Sequence, residues 1–207
     1  MLFRSELVYN REYANKNNLY SLSLVKERLS NAYIMPCDIW CEKNPFSEEE
    51  LYSWYMVNDK LEEESTVRVN RKKELKLTRE EEKGNHMVGI AYVNAETAPK
   101  LAERLATCSS HRKYEHSFWE DAAMENGKMM FLPKEVSEDD VVEINTLEEL
   151  RNLDETSNHL NSELLQIAAD ALKCDLKEIT EIEALKKGMT NRSFRFHCRE
   201  KRDRKST

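Results

Sequence analysis

Residues 15–38 constrain the fold more than any other stretch of this chain, because they set a helix, a strand and an acid in one order. Leu19, Leu22, Val25 and Leu29 recur at helical spacing, with Lys26, Glu27 and Arg28 between them. That period predicts an amphipathic helix after the polar loop that reaches Asn18. Ala32 to Met35 is a short apolar run closed by Pro36, which cannot continue a hydrogen-bonded ladder. Asp38 follows this buried strand directly, and open α/β sheets place their ligands just beyond the carboxyl ends of such strands.

The rest of the chain extends that pattern. Leu7, Val8 and Tyr9 resemble the tail of a strand, so the sequence is expected to begin within a domain. Ser47, followed by three glutamates, reads as a helix N-cap. Residues 66–70 and 75–78 alternate and predict a hairpin around a charged turn, and the apolar run 87–93 predicts a buried strand. Asn94 reads as the cap of a helix through Leu101 and Leu105, and residues 113–126 as a second helix that Gly127 ends. Strands are expected at 129–132, closed by Pro133, and at 141–144, followed by a helix with the capping-box pair Thr146 and Glu149. A linker at 155–158 precedes a fresh amphipathic helix over 160–172, a strand at 179–185 and a second strand from Phe194 to Cys198.

Composition narrows the function. The formal net charge is −7, with both signs spread along the chain, so broad nucleic-acid binding is not expected. No stretch is long and apolar enough for a membrane span, and the first residues lack a signal-peptide core. Five cysteines without a C-x-x-C pair point to a reduced, cytoplasmic protein. Only four glycines occur, the first at Gly84. A triphosphate is commonly gripped by a loop without Cβ atoms, whose N–H groups can reach the phosphates. Either such a loop lies upstream of this sequence, or no triphosphate is bound.

Asp38 and Glu120 are the candidate metal-binding and catalytic pair. Magnesium takes oxygen ligands, often one or two carboxylates completed by phosphate oxygens and water. Two distant acids can converge at one sheet edge, although surface carboxylates at these positions would look the same in sequence. Asp121 is the alternative to its neighbour. Trp119, Phe118, Tyr114, Tyr92 and Trp54 are candidates for an aromatic enclosure around a quaternary ammonium, which has no hydrogen-bond donor and is recognised through ring faces and acids. Each ring would serve equally well as core. The five histidines show no metal-ligand spacing.

Taken together, the run from Asn17 to Leu22, the strand before Asp38, the segment Phe118–Glu120 and the closing run from Val142 to Leu150 resemble bacterial sugar-phosphate-type nucleotidyltransferases. The resemblance is strongest to CTP:phosphocholine cytidylyltransferases and covers roughly residues 7–155. It implies a Rossmann-like α/β fold, and transfer of CMP from CTP to phosphocholine with release of pyrophosphate. In that family a carboxylate after the central strand and another on a later helix hold Mg2+, positions that carry over to Asp38 and Glu120. Asn17, Asn18, Tyr92 and Trp119 are expected to bind substrate. The family's opening strand and glycine-rich loop have no counterpart here, so residues 1–155 are expected to form a partial domain. A sugar-phosphate acceptor, or a non-catalytic fragment serving as a binding module, remain the alternatives.

Residues 185–194, with Gly188, Thr190 and Asn191 in the turn, resemble the first hairpin of choline kinase-like folds. There a glycine-containing turn covers ATP phosphates through its backbone. The expected fold class is therefore α/β: a partial Rossmann-like nucleotidyltransferase sheet, followed over 159–207 by the beginning of a kinase-like N-lobe with ATP as a further ligand.

Overall fold

The computed structural model describes residues 5–79, 81–146, 149–150, 153, 163–185 and 193–198. The chain divides into two units, Met1–Val142 and Glu143–Thr207. Along the chain up to residue 143 run α1 (Asn18–Ser23), β1 (Ala32–Ile34), β2 (Ile39–Cys41), β3 (Trp54–Glu62), β4 (Val67–Val69), β5 (Leu75–Leu77), β6 (Gly84–Val93), α2 (Ala98–Ser110), α3 (Trp119–Ala123), β7 (Met124–Glu125), β8 (Lys128–Met129), β9 (Leu132–Val136) and β10 (Val141–Glu143).

The central sheet has the order β1-β6-β3-β9. Strand β6 is antiparallel to both β1 and β3, and β9 is parallel to β3. Hence β1, β3 and β9 all run one way, and their carboxyl ends share one edge. The fold is mixed α/β. A smaller sheet, β4-β5-β8-β7, and the pair β10-β2 flank it.

Both faces of the central sheet are buried, so β3 and β6 read as continuous apolar runs rather than alternating ones. On one face Tyr55, Val57, Ala91 and Val93 pack against Leu19 of α1, Leu101 and Leu105 of α2, and Trp119 and Ala122 of α3. On the other, Trp54, Met56, Ile90 and Tyr92 pack with Tyr33, Ile39 and Val141. Neighbouring residues of β3 therefore serve opposite layers, as the strand period of two requires.

Several local expectations are corrected. The helix expected through Leu29 stops at Ser23 and resumes only as a 3-10 turn, Lys26–Arg28. The Ser23 hydroxyl donates back to the Tyr20 carbonyl at 2.7 Å, competing with the helix's own ladder, and the β-branched Val25 leaves helical geometry at φ −117°. Leu19 and Leu29 stay buried, so the apolar stripe survives the break. Ser47 caps no helix. Its hydroxyl turns to Glu49, and its backbone N–H donates to the Tyr33 hydroxyl. Helix α2 starts at Ala98 rather than beside Asn94, since Pro99 presets the first helical turn, while the Asn94 side chain accepts from the Thr97 N–H.

The helix expected over 113–126 is broken into a 3-10 turn and the short α3. Asn126 and Gly127 have φ of 51° and 75° and close the β7–β8 hairpin, the two-residue left-handed turn that Asn-Gly favours. Pro133 does not end a strand. It lies inside β9 opposite Tyr55, tolerated because β9 is an edge strand with only β3 beside it in the described sheet.

In the second unit α4 (Glu163–Leu172) precedes the antiparallel hairpin of β11 (Ile179–Leu185) and β12 (Ser193–Cys198), and Leu165, Ala169, Ile179 and Ile182 form its core. The helix and both strands follow the sequence pattern. The Thr146–Glu149 capping box is present, with the Glu149 N–H donating to Thr146 Oγ1 at 3.1 Å and the Thr146 N–H to Glu149 Oε2 at 3.0 Å. The expected linker at 155–158 and the turn carrying Gly188, Thr190 and Asn191 lie outside the described residues.

Candidate functional site

The site is built where β1 ends. Beyond Ile34 the chain turns at Pro36 and brings Asp38, half-buried, to the carboxyl edge of the sheet. Among the described residues the Asp38 carboxylate accepts no hydrogen bond and forms no ion pair. Pro36 fits there because β6 carries Gly89 opposite it. A Cβ on Gly89 would stand 2.9 Å from Pro36 Cγ, and φ of +86° at this residue suits only glycine without strain. The same residue lies in a bulge of β6, where the register with β3 shifts between Tyr55 and Val57.

Gly89 also faces the other carboxylate through one side chain. Its backbone N–H weakly opposes the upward shift of the Tyr55 hydroxyl, and Tyr55 donates to Glu120 Oε1 at 2.9 Å. Glu120 sits in the first turn of α3, and its Oε2 is buried with no hydrogen-bond partner. Burial raises the Glu120 pKa to about 6, opposed by its own backbone N–H and by the Tyr55 hydroxyl, with the Asp121 charge adding a small upward push. The same burial, together with the adjacent carboxylate, pushes the Tyr55 hydroxyl well above its ordinary value, so it stays a donor. Gly89 thus neighbours Pro36, two residues before Asp38, and lies near Tyr55, which engages Glu120.

Asn17 and Asn18 help to hold this arrangement. Asn17 caps α1 and donates from Nδ2 to the His116 carbonyl at 3.2 Å, and Asn18 Oδ1 accepts the Trp119 N–H at 2.8 Å. They clamp α1 to the start of α3, one residue from Glu120. Arg104 of α2 holds the other end, donating to the carbonyls of Ala122 and Met124.

The expected aromatic enclosure is not assembled as a single group. Trp119 is 4% exposed and packs between Tyr55 and Phe131, with ring centroids at 5.7 and 5.9 Å. Tyr92 and Trp54 belong to the opposite layer of the sheet, and Phe118 points outward at 59% exposure. Strand alternation separates them: Tyr92 faces away from Tyr55, and so from Trp119. Tyr55 belongs to an aromatic-rich run with Tyr52 and Trp54 and Gly89 to an apolar run, and neither run by itself signals a partner for Glu120.

The residues present fit a divalent cation. A buried carboxylate oxygen without a partner is costly, and a cation is the group that would satisfy Glu120 Oε2. Among the described residues no cluster of three or more His, Cys, Asp or Glu side chains forms that could hold a metal ion. Among the same residues no helix is long and apolar enough to cross a membrane.

No protein-family model matches the chain. The choline-phosphate cytidylyltransferase of Streptococcus pneumoniae (strain ATCC BAA-255 / R6) is 27% identical over 159 residues, which span 75% of this chain and 69% of that protein. The solved structure of CTP:phosphocholine cytidylyltransferase from Streptococcus pneumoniae superposes with a TM-score of 0.58 at 23% identity, covering 72% of this chain and 67% of that one. The chain is a homologue of a bacterial cytidylyltransferase, an enzyme of the nucleotidyltransferase class, and carries its α/β fold.

Proposed function

We propose that this chain serves magnesium-dependent transfer of CMP from CTP to phosphocholine, with Asp38 and Glu120 as the metal-binding carboxylates. The observation that carries the reading is the buried, unpartnered Glu120 Oε2, fixed by Tyr55 through its other oxygen, in a homologue of a cytidylyltransferase. A phosphate oxygen of phosphocholine attacks the α-phosphorus of CTP in line, and the bond to the pyrophosphate oxygen breaks. The attacking group is a phosphate monoester already ionised near neutrality, so no general base is needed. Magnesium, when bound, offsets the negative charge that gathers on the α-phosphate. Tyr55 supplies direction: by engaging Oε1 it leaves Oε2 as the ligand oxygen. With a pKa of about 6, Glu120 is ionised at neutral pH even before a cation lowers that value further.

In the second unit, α4 followed by the β11–β12 hairpin supports reading residues 159–207 as the start of a choline kinase-like domain, with ATP phosphates at the Gly188, Thr190 and Asn191 turn. A cytoplasmic setting goes with both substrates.

The test is pyrophosphate release by the purified chain with CTP, phosphocholine and magnesium. Release that requires all three, and that falls at least a hundredfold in Asp38→Ala with unchanged folding, is the expected result. Equal release with a sugar phosphate in place of phosphocholine would move the assignment to another acceptor. No release, together with no magnesium-dependent CTP binding, would overturn it.

A further inference from the structure

One face of α2 carries charges that the carboxylate pair does not use. Lys100, Arg104 and Thr107 share that face by helical spacing, and His111 follows where the helix ends. With Glu103, the buried Cys108, Lys113 and Tyr114 of the 3-10 turn Arg112–Tyr114, and Glu125 of β7, they line an open cavity of about 600 Å3. Neither Asp38 nor Glu120 is among its walls. Arg104 is the fixed part. Its Nε and Nη2 donate to the carbonyls of Ala122 and Met124, each at 2.5 Å, so backbone pins the half-buried guanidinium. Carbonyls hold the group without neutralising it, and their two bonds leave its other N–H groups unused. Among the described residues no carboxylate forms an ion pair with it. Glu125 feels the Arg104 charge, but its ion-pair partner is Lys100. Lys113 lies with its Nζ 4.5 Å from the Tyr114 ring centroid and, among the described residues, has no carboxylate partner. Two cations thus stand against one exposed carboxylate, Glu103, in a chain whose formal net charge is −7.

We propose that this cavity binds a phosphate dianion, either free or as the monoester of a small molecule. A planar guanidinium meets two phosphate oxygens at once, and one already pinned by backbone carbonyls loses little freedom in doing so. Lys113 and a ring N–H of His111 join it from the turn that follows α2. A dianion answers both uncompensated cations, which chloride or a single carboxylate would not. The cavity is larger than a phosphate needs, and Tyr114 and Cys108 give it apolar wall for the body of an ester. Because it uses neither Asp38 nor Glu120, the site stands independently of the metal and the acceptor assigned above.

Sodium phosphate and glycerol phosphate are the probes, titrated into the full chain freed of divalent cations, against sodium chloride at equal ionic strength. Amide proton–nitrogen correlation spectra locate the binding. Saturable shifts are expected at residues 104–114 and 122–125, with binding at least tenfold weaker in Lys113→Glu and that variant's thermal melt unchanged. Arg104→Gln should abolish binding. Where loss of the clamp on α3 unfolds that variant, Lys113→Glu and Lys113→Ala decide. Tighter binding of the ester than of phosphate would assign a monoester, and equal binding the free anion. Shifts no different from those with chloride would overturn the proposal, as would saturable binding whose affinity Lys113→Glu leaves unchanged.

Discussion

Glu120 should make the first unit less stable as pH rises, and Glu120→Gln should remove that penalty. Its folded-state pKa lies at about 6 against an ordinary value of 4.5, so the folded protein holds this proton more tightly than the unfolded chain does. The stabilisation is fully present below about pH 4.5 and is lost as pH climbs through about 6. A shift of roughly one and a half units corresponds to about 2 kcal/mol. Glutamine keeps an acceptor for the Tyr55 hydroxyl and carries no charge, although its amide N–H would replace Oε2 without a partner. That defect is the same at every pH. The stability of the variant minus that of the wild-type protein should therefore become more positive by about 2 kcal/mol between pH 4 and pH 7.5. Urea unfolding followed by tryptophan emission reports the right part of the molecule, because Trp40, Trp54 and Trp119 all lie in the first unit. A flat difference across that range, or one that falls with pH, would refute the account of burial at Glu120. Adding magnesium at pH 7.5 should then stabilise the wild-type chain and leave the variant unmoved, since binding to the folded state alone shifts its stability.

Among the described residues Tyr55 is the side-chain donor to Glu120, so Tyr55→Phe, which removes that bond from a buried carboxylate, should destabilise by about 1–3 kcal/mol in urea unfolding at neutral pH. Gly89→Ala must relieve a 2.9 Å contact with Pro36 at a left-handed φ, and should cost at least ~1–2 kcal/mol, read as a fall in the urea midpoint at constant slope. Asn18→Ala breaks the clamp on the Trp119 N–H and should loosen α3, seen as faster amide exchange at residues 119–123 with little change in β3.

How much of this was legible in the sequence follows from the range of the interactions involved. Strands β1, β4, β5 and β6, the helix around Leu101 and Leu105, and the hairpin β11–β12 declare themselves by local apolar period, which short windows carry. The capping box at Thr146 and Glu149 is equally local, because both of its bonds span three residues. Helix ends were less legible. Ser23 and Pro99 moved two of them by competing for, or presetting, single turns, and Asn126–Gly127 read as a helix stop when it was a hairpin turn.

The sequence by itself determined that a strand ends shortly before Asp38, though not that it is a half-buried edge strand, that a second acid follows Trp119, and that the chain is an α/β protein. Those are statements about neighbours along the chain. Only the tertiary structure decided that Tyr55 reaches Glu120, that Gly89 lies between Pro36 and Tyr55, and that Trp119 and Tyr92 never meet. Each of these depends on which residues of separate strands stand opposite one another, and a register shift of one residue sends every side chain to the other face. The bulge at Gly89 sets that register locally, so a glycine within an apolar run decides how β3 and β6 stand opposite one another and where Pro36 can pack.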